Sequence, residues 1–197
     1  MFYHSTRSVS NPVDSAQAVL EGLAPDGGLY MPESLPAFDW QACLKGTSMD
    51  MATMILSALL PDIPNMPELV KKAYTGKFET EDLTPTVPVG DFGVLELFRG
   101  PTSAFKDVAL SMLPQLLTAA KTAKGMEEDI LILTATSGDT GKAALEGFHD
   151  VDGIRITVFY PYGGVSQVQR AQMVTQEGGN VAVCAVHGNS DDAQTGV

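Results

Sequence analysis

Two rhythms of apolar and polar residues divide the chain. Over about the first 80 residues, apolar positions recur at helical spacing in short runs broken by glycine and proline. Residues 15–23 form a short amphipathic helix pattern, stopped by Pro25-Asp26-Gly27-Gly28, where the glycines supply turn conformations at low cost. Ser48 is the predicted N-cap of a helix over 49–60, with Met51, Met54, Ile55 and Leu59 on one face. Asn65 and Pro67 open another helix that runs to about Tyr74. Residues 76–88 are richer in Thr, Pro and Glu and read as a connection. The pattern predicts a helical amino-terminal domain over 1–80.

From residue 81 the rhythm changes. A strand is predicted at 94–98, then a helix over 105–124 in which Pro114 should cause a kink or break. Strands at 130–135, 154–160 and 181–186 alternate with helices at 140–149 and 166–177. The strands are apolar throughout, which is the pattern of a parallel sheet covered on both faces. The predicted class is α/β, with an incomplete α/β domain over 81–197. Residues 190–197 read as the start of a helix, so more sheet is expected beyond Val197.

Composition narrows the function classes. Hydrophobic residues make up 44% of the 197 and charged residues 18%, enough apolar side chain for a sizeable core. The net charge of −12, from 24 acidic and 12 basic side chains, opposes binding to nucleic acid or anionic lipid, and no basic run offsets it. A small molecule or another protein is the expected partner. Cys43, Cys184, His4, His149 and His187 show no metal-ligand spacing, so no metal site is expected, and Cys184 in its apolar run is expected to be a buried thiol. The first residues lack an apolar signal core, and the apolar stretches near 51–60 and 108–120 are too short to cross a bilayer. A cytoplasmic protein is expected.

Two strings carry chemistry. In Leu97-Phe98-Arg99-Gly100-Pro101-Thr102-Ser103-Ala104-Phe105-Lys106-Asp107, a strand ends, Gly100-Pro101 turns the chain, and Thr102 or Ser103 is placed to cap a helix. Lys106 is then expected in the first helical turn, where the helix dipole disfavours an ammonium and favours the nucleophilic amine. An exposed lysine in a capped helix is the alternative that Lys106 alone leaves open. The second string, Ile130-Leu131-Ile132-Leu133-Thr134-Ala135-Thr136-Ser137-Gly138-Asp139-Thr140-Gly141, is a buried strand, a hydroxyl- and glycine-rich loop, and a helix start. Its amides, with the Ser137 and Thr140 hydroxyls, make an anion cradle suited to a carboxylate. Asp139 should point away from that anion, because like charges repel. A tight strand–helix turn without a ligand is the plainer reading. Gly138-Asp139-Thr140-Gly141-Lys142 is no nucleotide phosphate loop, since Thr136 and Ala143 stand where glycine and Ser or Thr are needed. Tyr160-Pro161-Tyr162-Gly163-Gly164-Val165-Ser166 is a further strand–helix junction, with Ser166 as its N-cap.

Together these strings resemble the threonine synthase family, within the tryptophan-synthase-like (fold type II) class of pyridoxal-phosphate enzymes. Residues 96–107 resemble the family's ELFHGPTxAFKD segment, with Arg99 in place of the commoner His, and residues 134–141 match its TATSGDTG loop. Residues 22–30 and 188–192 add further matches in family order. The resemblance implies conversion of O-phospho-L-homoserine and water to L-threonine and phosphate with pyridoxal 5'-phosphate, by a monomer or homodimer. It implies that Lys106 holds the cofactor as a Schiff base and moves protons at the substrate's α and β carbons. Thr136, Ser137, Gly138 and Thr140 would bind the substrate carboxylate, and Asp139 would lie near the oxygen side of the cofactor ring. Relatives are roughly twice this length, and by resemblance their cofactor-phosphate cup lies beyond Val197. These residues alone are therefore expected to bind the cofactor weakly and not to turn over substrate. A different fold type II lyase and a non-catalytic binding protein of the same family are the competing readings.

Overall fold

The computed structural model describes residues 1–8 and 11–197. They form two compact units, one of Met1–Thr75 with Gln115–Glu127 and the other of Gly76–Pro114 with Glu128–Val197.

The first unit combines four short helices with a small antiparallel sheet. Strands β1 (Phe2–Ser5), β2 (Val13–Asp14) and β3 (Tyr30–Pro32) lie in the order β2-β1-β3. Sequence pattern missed them because alternation is invisible over two to four residues. Helix α1 (Ser15–Glu21) is capped by Asp14, which accepts the Gln17 amide at 2.9 Å and also pairs with Lys124. After α2 (Trp40–Lys45), α3 (Ser48–Leu59) starts one residue earlier than expected, with Thr47 rather than Ser48 as its cap. The reason is the partner three residues on. Thr47 has Asp50, and the two exchange side chain-to-backbone bonds at 3.2 and 2.9 Å, whereas Ser48 has Met51. Helix α4 (Met66–Tyr74) begins at Asn65, whose left-handed backbone turns the chain without a side-chain cap bond, and carries Pro67 in its first turn. Ala16, Met66, Val70 and Ala73, with Leu116 and Ala120, are buried in this unit.

In the second unit, β4 (Thr86–Val89) and β5 (Phe92–Leu95) form an antiparallel hairpin. The connection expected at 76–88 thus holds the start of a strand, and the strand expected at 94–98 ends at Leu95. Pro88 inside the first strand disguised it. A kink or a break was expected at Pro114; helix α5 (Asp107–Ala123) runs through it without a break. Pro114 has no N–H for the Leu110 carbonyl, and that oxygen instead lies against Gly147, where an added Cβ would come within 2.1 Å of it.

Strands β6 (Ile130–Ala135), β7 (Ile154–Pro161) and β8 (Val181–Val186) form a parallel sheet in that order. Helices α6 (Asp139–Phe148), α7 (Gln167–Val174) and α8 (Ser190–Gly196) follow the strands in turn. On one side Ile154, Ile156, Val158 and Tyr160 are buried, as are Leu145, Phe148 and Met173 of the helices. On the other side Leu131 and Leu133 are 58% and 42% exposed, and Cys184 is exposed too. The sheet is therefore buried on one face rather than two, and Cys184 is not the buried thiol expected; Cys43 is the buried one. No helix among the described residues is long and apolar enough to cross a membrane.

Candidate active site

The loop between β6 and α6 is built around one buried hydroxyl. Thr136 Oγ1 accepts the amides of Gly138 at 3.0 Å and Gly141 at 2.9 Å, and its side chain is 6% exposed. The loop closes this tightly because residues 138 and 141 lack side chains. Gly138 has φ 147° and ψ −90°, a backbone conformation that L side chains rarely adopt, and a Cβ at Gly141 would lie 2.4 Å from Thr136 Cγ2. With two amides committed to Thr136, those of Ser137, Asp139 and Thr140 have no protein acceptor among the described residues. They stand at the start of α6, where the helix dipole favours an anion.

A cleft of about 330 Å³ opens at this end of the sheet, lined by Ala135, Thr136, Ser137, Thr140, Ser190 and Gln194. Three of the predicted substrate-binding residues meet there. Gly138 is buried and shapes the loop instead. Ser190 and Gln194 come from α8 and were not singled out from the sequence as site residues. Asp139 is exposed, and its Oδ1 accepts a bond from Gln169 Nε2 at 2.9 Å. Gln169 was missed too, although the Ser166-x-x-Gln169 spacing of a capping box was legible.

Lys106 lies one residue before α5 rather than in its first turn, and its carbonyl accepts the Leu110 amide at 2.9 Å. It does not line the 330 Å³ cleft. It is half-buried, and its Nζ sits 5.1 Å from the centre of the Phe105 ring. The expected caps also change role. Asp107, 2% exposed, accepts both the Thr102 amide at 2.8 Å and the Thr102 hydroxyl at 2.5 Å. Carboxylate, not hydroxyl, is the acceptor that ties the turn to the helix start, and Thr102 is the donor. Gly100 is required beside it, since a Cβ there would lie 2.5 Å from the Asp107 side chain. Upstream, Arg99 bridges Glu79 and Glu96 at 2.7 Å each. Its donation to the carboxylates of Glu79 and then Glu96 holds its guanidinium above the ordinary arginine range.

The lysine turn and the hydroxyl loop belong to one compact unit. Residues 2–74 match the model of the threonine synthase N terminus. Threonine synthase from Pseudomonas aeruginosa is 37% identical over 201 residues, covering 98% of this chain. The crystal structure of PLP-bound threonine synthase from Brucella melitensis superposes with a TM-score of 0.89 at 37% identity over 99% of the chain. From end to end, the chain resembles the amino-terminal portion of threonine synthase. The yeast threonine synthase structure gives a TM-score of 0.87 at 34% identity, over 98% of this chain and 42% of that one. The chain spans 42% of the Pseudomonas threonine synthase and 43% of the Brucella chain. The α/β fold, with its parallel three-stranded sheet, matches these structures.

Proposed function

We propose that this chain supplies the lysine-bearing and carboxylate-binding part of a cytoplasmic threonine synthase, acting on O-phospho-L-homoserine and water to give L-threonine and phosphate. The observation that carries this reading is the cleft at the carboxyl end of β6. Ser137 and Thr140 line it, each with a hydroxyl and an uncommitted amide, beside a helix start. That donor set suits a carboxylate, and a volume of about 330 Å³ accommodates an amino-acid substrate.

Pyridoxal 5'-phosphate fits these residues at its reactive end. Lys106 offers a half-buried primary amine on a turn held by the buried Asp107, and Asp139 is the carboxylate assigned to the ring's oxygen side. The chemistry supplied by the bound cofactor is storage of the electron pair released at the substrate's α carbon. Lys106 Nζ would be the group that holds the cofactor, and its amine would move protons at the α and β carbons. Ser137 and Thr140 hold the substrate carboxylate by hydroxyl and amide donation, which fixes the orientation of the substrate in the cleft. Thr136 keeps the loop closed, so the donors are in place before substrate arrives.

Reduction of a mixture of the 197-residue chain and pyridoxal 5'-phosphate with borohydride, followed by peptide mapping, tests the assignment. Cofactor is expected on Lys106, and Lys106→Ala should remove that label. Equal labelling of several lysines, unchanged by Lys106→Ala, would refute it. The same chain without any further polypeptide is expected to release no phosphate from O-phospho-L-homoserine.

A further inference from the structure

An aspartate in the middle of a carboxylate cradle poses an electrostatic problem, and the neighbouring helix holds the solution. We propose that Gln169 is a positioning residue that holds the Asp139 carboxylate away from the anion bound by Ser137 and Thr140. This inference rests on the carboxylate-binding reading of that loop.

Gln169 is fixed from three directions. Its Oε1 accepts the Ser166 amide at 3.2 Å, while the Ser166 hydroxyl accepts the Gln169 amide at 3.2 Å, closing the capping box of α7. Its Nε2 donates to Asp139 Oδ1 at 2.9 Å. Between these bonds, the side chain lies directly over Gly138, where an added Cβ would come within 2.4 Å of its Cδ and Nε2. The amide is thus used at both ends. The oxygen serves α7, and the nitrogen serves the first turn of α6.

The choice of glutamine over glutamate is informative. A capping box accepts either residue at this position, because both offer an oxygen to the N-cap amide. Only glutamine also offers a donor to Asp139. With that donor, Asp139 keeps its favourable place in the first turn of α6 while its charge is drawn to the α7 side. Without it, the carboxylate is free to turn towards the uncommitted amides, where it competes with and repels the substrate carboxylate.

Gln169→Glu isolates this function, since it keeps the capping oxygen and nearly the same volume but replaces the donor with a second carboxylate. Backbone ¹H–¹⁵N shifts of Gly138, Asp139, Thr140 and Gly141 would be followed in the 197-residue chain as O-phospho-L-homoserine is added. Gln169→Glu is expected to weaken binding at least about tenfold, and adding Asp139→Asn should restore most of the loss. Gln169→Leu, which removes cap and donor together, should show the same rescue. Unchanged affinity in Gln169→Glu, or a loss that Asp139→Asn leaves in place, overturns the inference while the carboxylate reading stands. Absence of any shift in the unsubstituted chain overturns both.

Discussion

At the scale of single residues, the loop after β6 depends on Thr136 more than on Ser137 or Thr140. Its oxygen satisfies two backbone donors at a buried position. Thr136→Val keeps the shape and strands both, so a loss of about 2–4 kcal/mol in urea unfolding is expected. Thr136→Ser should recover most of it. The sequence displayed the residue types here but not their division of labour. Thr136, Ser137 and Thr140 look alike in a string of hydroxyls, and only the folded loop, with the Gly138 and Gly141 amides on Thr136, shows which hydroxyl folds inwards. Lys106 was readable as a candidate because of its neighbours, yet its exact seat was not. The buried Asp107 carboxylate, accepting from Thr102, sets where α5 begins, and no local propensity rule ranks it above the hydroxyls as the organiser of that turn.

At the scale of elements, β6, β7, β8 and α6 were legible to within a residue or so, because each is bounded by glycine or polar turns. What escaped was coverage. Ile130-Leu131-Ile132-Leu133 is apolar at every position, and such a run looks the same whether one face or two is packed. The exposure of Leu131 and Leu133 divides the strand by face. Leu145→Ala, at a side chain with 0% exposure, is therefore expected to cost about 2–5 kcal/mol. Leu131→Ala should change stability by less than about 1 kcal/mol. Denaturant midpoints of the two variants check this, and equal losses would show that the outer face is packed in solution. The small strands β1 to β3 were illegible for a different reason. They exist through pairing with residues far along the chain, which no local window registers.

At the scale of the whole molecule, alkaline pH is expected to act through tyrosine. Burial pushes the Tyr74 phenol up to about 12, and the hydrogen bond to Glu21 does the same for Tyr30. Both are raised above the ordinary value of 10; at Tyr74, where burial is the cause, the contribution to stability is complete below about pH 10 and is lost as pH rises towards 12. Phenolate absorbance and circular dichroism recorded together should show late tyrosine ionisation coinciding with unfolding, and Tyr74→Phe should remove part of that dependence. The interleaving of the two compact units has a consequence for biosynthesis. Gln115–Glu127 belongs with Met1–Thr75, and Lys124 in that stretch pairs with Asp14. A ribosome must therefore translate the lysine turn before it completes the first unit. The nascent amino terminus waits, with part of its hydrophobic interior still unmade, until the second half of α5 has emerged from the exit tunnel.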